Sequence, residues 1–195
     1  MTENDLDRLR SEYADRAKRL AGSDIYSLFN QANLYALQQR QRDTLALLRK
    51  HGFFPLKEYA IFELGCGTGG VLREYLTYGA KSMSLHGADL LFDRLEIALA
   101  QFAHLPVTCS DGQSLPYASR SFDLVLQYTA FSSVLDDDVK VELASEMLRI
   151  LRPQGMILWY DFWLNPTNPQ TQGIRPREIR NLFPGCRFEF HRITL

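Results

Sequence analysis

The stretch from Ala60 to Val71 reads AIFELGCGTGGV, an apolar run that ends in an acid and is followed by four glycines within six residues. A short β-rich run closed by glycines and continued by a helical pattern is the sequence form of a strand that turns sharply into a helix. Such a turn brings bare backbone beside a ligand at the helix N-terminus. Gly65, Gly67 and Gly70 complete G-x-G-x-x-G, and Asp89 follows at about the distance at which a ribose-binding acid follows that fingerprint. Several adenosine-bearing cofactors share this arrangement, so the rest of the chain has to separate them.

Working outward, short β-rich runs alternate with helix-period segments from Ala60 onward, which predicts a doubly wound, mostly parallel α/β sheet covered on both faces. The strand candidates are Ala60 to Leu64, Ser84 to Asp89, Pro106 to Ser110, Phe122 to Tyr128, Met156 to Phe162 and Cys186 to Thr194. Between them lie helical stretches over Gly69 to Thr77, Leu91 to Ala103, Asp137 to Leu151 and Pro176 to Phe183. Leu143, Met147, Ile150 and Leu151 give the third of these an apolar stripe.

Two amphipathic helices come first, on Leu6, Leu9, Tyr13, Ala17 and Leu20, and on Leu34, Leu37, Gln41, Leu45 and Leu48. Arg49, Lys50 and His51 complement the second helix's dipole, and Gly52 can close it in a left-handed turn. This divides the chain into a helical cap or lid over residues 1–58 and an α/β core over 59–195. Tyr26 and Phe29, in the connecting SDIYSLFNQAN, are candidate lid residues. The segment WLNPTNPQTQG, Trp163 to Gly173, reads as a turn-rich excursion with two Asn-Pro pairs beyond a strand's C-terminal end.

With 195 residues, a net charge of -1 and 46% hydrophobic residues, the chain can bury one large core. It carries no field that would gather nucleic acid or anionic membrane. No apolar stretch approaches the roughly 20 residues of a membrane span, and MTENDLDRLR is charged where a secretion signal is apolar. The expectation is a cytoplasmic protein with a small-molecule partner, monomeric or homodimeric. Cys66, Cys109 and Cys186 lie far apart and are expected to be buried reduced thiols, and the four scattered histidines offer no metal site.

Three landmarks bear on the ligand. At the glycine loop NAD would place its pyrophosphate, whereas S-adenosylmethionine would place its amino-acid end, with Glu63 available on the cationic side. Asp89 closes the second strand, where a carboxylate accepts ribose hydroxyls and Leu90 can lie against adenine; capping the next helix is its alternative role. The third landmark, CSDGQSLPYASRSFDLVL, sets Asp111 at the end of the third strand, where it can accept from the adenine amino group while the backbone of Gly112 and Gln113 meets the ring edge. Here the chain resembles the Rossmann-like class I S-adenosylmethionine-dependent methyltransferases, in particular the group containing the ubiquinone and menaquinone biosynthesis enzymes. ELGCGTGG, GADL, SDGQSLPY, SFDLVL and LRPQGMILWYDF match in order over Tyr59 to Phe162.

The resemblance implies that Glu63, Gly65, Cys66 and Gly67 serve the methionine end, Asp89 and Leu90 the ribose and adenine, and Asp111, Gly112 and Gln113 the adenine edge. Gln127 falls where backbone and side chain face the methionine moiety, while Asp123, at a strand's start, reads as structural. The implied reaction uses S-adenosylmethionine, releases S-adenosylhomocysteine and methylates an oxygen or nitrogen of a small molecule, glycan-linked and lipid-linked acceptors included. Where many relatives carry a histidine pair, this chain has Phe131, Ser132 and Ser133, which leaves Asp161 as the candidate base. Arg40 and Arg42 are candidate donors to the cofactor carboxylate. A non-catalytic cofactor-binding module and a nicotinamide oxidoreductase are the alternatives; the Tyr-x-x-x-Lys pair of the latter's short-chain type is absent. The family sheet ends in a hairpin, whereas RFEFHRITL suffices for one strand. That leaves either a truncated chain or a shorter sheet with an edge open to a second copy.

Overall fold

The computed structural model describes residues 3–164, 168 and 170–193, which group into two compact units. One joins Glu3–Phe54 to the stretch that begins at Phe188; the other is Pro55–Arg187.

The first unit is built on α1 (Glu3–Leu20) and α2 (Gln31–Lys50). Asn30 caps α2 by accepting the N–H groups of Ala32 (3.1 Å) and Asn33 (3.2 Å). At the other end Gly52 sits at φ +81° and the Phe53 N–H returns to the Leu48 carbonyl (2.8 Å), the left-handed closure that the sequence calls for. Leu9, Thr44 and Leu48 are buried, whereas Phe29 in the connecting turn is 96% exposed.

The expected strand over Cys186 to Thr194 does not form through Ile193, and Thr194 lies outside the described residues. Side-chain charge holds this tail where a backbone ladder was expected. Glu189 accepts from Lys50 Nζ (2.5 Å) and pairs with His51 Nε2 (3.1 Å), both at the C-terminal end of α2. Those contacts and the His191 ring hold its carboxyl down at about 2.

In the second unit β1 (Ile61–Leu64), β2 (Leu85–Asp89), β3 (Val107–Cys109), β4 (Phe122–Tyr128) and β5 (Leu151–Tyr160) form one parallel sheet in the order β3-β2-β1-β4-β5. The crossovers carry α3 (Gly70–Thr77), α4 (Phe92–Gln101) and α5 (Asp137–Ile150), and α6 (Pro176–Leu182) follows β5. The sheet is therefore the doubly wound arrangement expected from the alternation of elements. Asp136 caps α5 through the N–H groups of Asp138 (2.9 Å) and Val139 (3.3 Å), and two acids in the first turn complement its dipole.

β5 begins earlier than Met156, because Leu151 pairs with Phe122 before the ladder skips to Met156 opposite Leu124. Pro153 has no N–H to give in this interval and Gln154 takes φ +72°, so Arg152–Gly155 bulges out of the ladder.

Register alternation assigns the faces. Ile61 and Glu63 share one, towards α3; Phe62 and Leu64 share the other, where Phe62 meets Tyr117 (5.3 Å) and Phe122 (5.2 Å) and Leu64 lies near Leu143 of α5. Asp123, at the N-terminal end of β4, accepts the Ala60 N–H (2.8 Å) and pairs with Arg152 (2.7 Å), far from the C-terminal edge. Beyond β5, the Gln172 N–H reaches the Ser132 carbonyl (2.8 Å) and the Ile174 N–H that of Phe162 (2.9 Å). Of the two Asn-Pro pairs expected there, Asn168 alone falls within the described residues. Among those residues no helix is long and apolar enough to cross a membrane.

Candidate functional site

The order of strands locates the site. From β1 the chain winds through β2 and β3 to one side and through β4 and β5 to the other, so the crevice beyond Leu64 and Tyr128 is the topological switch point where open α/β sheets take ligands.

Gly65, Gly67 and Gly69 lie at φ +72°, +53° and +76°, conformations that side chains disfavour. The space that their missing Cβ atoms leave is partly occupied by protein. A Cβ on Gly65 would stand 2.6 Å from Ala130 Cβ, and one on Gly67 2.3 Å from Arg94 Nη2. Glycine at both positions leaves room for neighbouring side chains. Gly70 opens α3 with nothing within 4 Å of its Cβ direction, so the third glycine of the fingerprint belongs to the helix.

Asp89, 8% exposed, ties the loop to the second crossover: Oδ2 accepts the Gly67 N–H (2.7 Å) and Oδ1 the Leu91 N–H (2.9 Å). The capping role is thus real, and each oxygen keeps a further acceptor position for a ribose hydroxyl. Leu90 is half-buried alongside. The Ser110 N–H bonds the Asp89 carbonyl (3.0 Å) and so brings the turn after β3 to the same edge. There Asp111 is exposed and accepts the Gln113 N–H (3.0 Å), the Gln113 amide donates to Glu142, and Gly112 is buried at φ +81° against Leu64 and Leu143. Within this turn the Asp111 carboxylate faces outward, while the Gln113 N–H is already committed.

Two expected contacts are redirected. The Cys66 side chain points into the sheet, where a Cβ on Gly87 would be 2.7 Å from its Sγ. Burial, then the charges of Glu63 and Asp89, push its thiol far above the ordinary range against the pull of Arg94, so Cys66 offers the site its backbone alone. It is also the one fully buried cysteine; Cys109 is exposed and Cys186 half-buried, contrary to the expectation that all three are buried.

The Gln127 side chain lies on the face away from Glu63. Its Oε1 accepts the Ala130 N–H (2.8 Å) and its Nε2 donates to Asp161 Oδ2 (2.9 Å). Asp161 Oδ2 also accepts the Ser132 N–H (3.1 Å), and its Oδ1 the Phe162 N–H (2.8 Å). Burial raises the Asp161 carboxyl against these bonds. Together they brace Thr129, a β-branched residue at φ +59°, and so hold Ala130 against Gly65. Asp161 and Gln127 position the turn; they do not present free groups to a substrate.

Glu63, 2% exposed, faces α3, where its charge contributes to raising Cys66 and Tyr75; burial and then Tyr128, 3.4 Å away between hydroxyl oxygens, are the larger causes at Tyr75. Glu63 and Asp89 thus place two carboxylates around the glycine loop, with the cation of Arg94 packed on Gly67. Sequence reading missed Arg94, which looks like solvent charge on a helix. Its signal was position: five residues after Asp89, in the first turn of the next helix. Arg40 and Arg42 lie on α2, in the other unit. No group of His, Cys, Asp or Glu among the described residues is arranged to hold a metal.

A parallel switch-point sheet, a left-handed glycine loop, and a strand-end carboxylate with spare acceptor positions fit an adenosyl cofactor, and the sheet matches the Rossmann-like fold of the class I S-adenosylmethionine-dependent methyltransferases. The family described as a methyltransferase domain matches residues 61–155 of the chain. The chain is 35% identical over 118 residues to phthiotriol/phenolphthiotriol dimycocerosates methyltransferase 1 of Mycobacterium ulcerans, covering 55% of this chain and 38% of that protein. It is 31% identical over 103 residues to the fatty-acid O-methyltransferase of Mycolicibacterium smegmatis, covering 52% and 36%. Among solved structures, an S-adenosylmethionine-dependent methyltransferase from Methanosarcina mazei superposes at a TM-score of 0.57 over 71% of this chain and 86% of its own, at 18% identity, which shows the shared fold. The chain spans less than half the length of the curated relatives it matches.

Proposed function

We propose that the protein transfers a methyl group from S-adenosylmethionine to an oxygen or nitrogen of a small-molecule acceptor with a large apolar part. The observation that carries the reading is the Asp89 carboxylate, held between Gly67 and Leu91 beside the left-handed glycines at the switch point. When bound, the cofactor supplies an electrophilic methyl group on a sulfonium. The chain's contribution is to hold the cradle rigid through the Gln127–Asp161–Ser132 bonds and to align the acceptor, an effect worth ~7 to 11 kcal/mol in well-oriented systems. Asp161 is committed to three donors, so the reading favours an acceptor atom that is nucleophilic at neutral pH without a dedicated base.

Phe162, Trp163 and Leu164 support an apolar acceptor. They follow β5 at the ligand-binding edge and are 37%, 60% and 74% exposed, a cluster of large apolar side chains that water does not favour. A relative named for a fatty acid and one named for phthiotriol dimycocerosates support the same reading. The test is incubation with methyl-tritiated S-adenosylmethionine and a panel of a long-chain fatty acid, a long-chain alcohol, an amino acid and a sugar nucleotide. Label in the organic extract with matching release of S-adenosylhomocysteine is expected. Label confined to water-soluble acceptors would overturn the apolar part of the proposal, and no label on any acceptor would overturn the transfer itself.

A further inference from the structure

We infer that Arg94 is a cofactor-binding residue of this chain, its guanidinium serving as the flat cation on which the adenine ring of the cofactor rests. The inference uses the adenosyl cofactor of the proposed function and adds a residue to its site.

Arg94 sits in the first turn of α4 and its side chain reaches Gly67 of the glycine loop. Three consecutive atoms of its planar head lie close to one point: a Cβ on Gly67 would be 2.3 Å from Nη2, 2.9 Å from Cζ and 3.2 Å from Nε. The guanidinium therefore packs directly on Gly67, which sits at φ +53° with no Cβ in its way. The same Gly67 gives its N–H to Asp89 Oδ2 (2.7 Å), so the plane of the cation and the ribose acceptor meet at one residue. The positive field of Arg94 is felt at neighbouring Cys66, against the fields of Glu63 and Asp89.

A nucleoside whose ribose is held by Asp89 lies beside this head, since the carboxylate and the guanidinium meet at Gly67, and the turn that carries Asp111 is tied to Asp89 through the Ser110 N–H (3.0 Å). An arginine head is planar, weakly hydrated and stacks on aromatic faces in a way that a lysine ammonium does not. A carboxylate for the ribose, a carboxylate for the ring edge and a flat cation then surround one nucleoside, each from a different element: β2, the turn after β3, and α4.

The alternative use of such a cation is a salt bridge to the amino-acid carboxylate of the cofactor, and the choice of ligand separates the two. Titration calorimetry would compare wild type, Arg94→Lys and Arg94→Ala with S-adenosylhomocysteine and with 5′-methylthioadenosine, which keeps the nucleoside and lacks the amino-acid end. Circular dichroism and thermal melting would confirm that each variant is folded. Stacking predicts that Arg94→Ala weakens both ligands about tenfold and that lysine recovers little of it. Loss for S-adenosylhomocysteine alone would overturn the stacking role in favour of carboxylate pairing. Unchanged or tighter binding of both would show that the head only packs on Gly67. If wild type binds neither ligand, the cofactor reading itself fails, which is distinct from a failure of Arg94.

Discussion

Replacing Asp89 separates the two duties that its carboxylate performs. The side chain is 8% exposed and accepts two backbone N–H groups, those of Gly67 at 2.7 Å and Leu91 at 2.9 Å. Alanine would leave both donors in a nearly dry place, at about 1–3 kcal/mol each, a large share of the ~5–15 kcal/mol that holds a domain folded. Asparagine is the better probe: its Oδ1 can keep one donor, while its NH2 faces the other N–H, so stability should fall by about 1–3 kcal/mol and the melting temperature by a few degrees. Cofactor affinity should fall further, because ribose hydroxyls lose charge-assisted acceptors worth ~1.5–3 kcal/mol each. A rise of at least about tenfold in the Kd of S-adenosylhomocysteine is the expected outcome, read by calorimetry on protein shown by melting to be folded. An Asp89→Asn protein that melts earlier yet binds as wild type would refute the reasoning. It would mean that the carboxylate only secures the start of α4 and that the ribose is held elsewhere.

Other outcomes follow from single contacts. Gly65→Ala should cost about 1–3 kcal/mol in urea unfolding, because its Cβ meets Ala130 Cβ at 2.6 Å with φ at +72°, whereas Gly70→Ala, with open space around it in the helix, should be neutral or slightly stabilising. Alkylation followed by mass spectrometry should label exposed Cys109 first and Cys66 only on unfolding; early Cys66 labelling would contradict its burial and raised thiol. Burial raises Asp161, so the folded protein holds that proton to higher pH than the unfolded chain. Its contribution is complete below the ordinary carboxylate range and is lost as pH rises through the raised value. Asp161→Asn should therefore gain stability relative to wild type as pH rises through that raised value, and a difference that stays flat with pH would count against it.

Local signals carried most of the fold. Ala60 to Val71 encodes strand, left-handed turn and helix start in adjacent residues, and Gly52 closes α2 at φ +81° because the reason for a glycine there is confined to a few neighbours. The tail failed for the opposite reason. RFEFHRIT alternates like a strand, but pairing depends on a distant partner, and the attraction of Glu189 to Lys50 and His51 lies 139 and 138 residues away in sequence. The same distinction divides the site. The positions of Asp89, at the end of β2, and of Asp111, in the turn after β3, were legible because each is set by the end of a strand. The directions of Cys66 and Gln127 were not, since a one-residue step changes the face of a sheet and only the register with β2 and β5 decides it. Arg94 was invisible because a charge on the first turn of a helix is ordinarily solvated, and what singles it out is the missing Cβ of Gly67, 27 residues earlier.

The central claim is that this switch point holds S-adenosylmethionine. Titration calorimetry of the wild-type protein with S-adenosylmethionine and, side by side, with NAD tests it most directly. Saturable binding of the sulfonium cofactor with no heat from NAD is the result expected from the site described above. Binding of NAD with none of S-adenosylmethionine would contradict it.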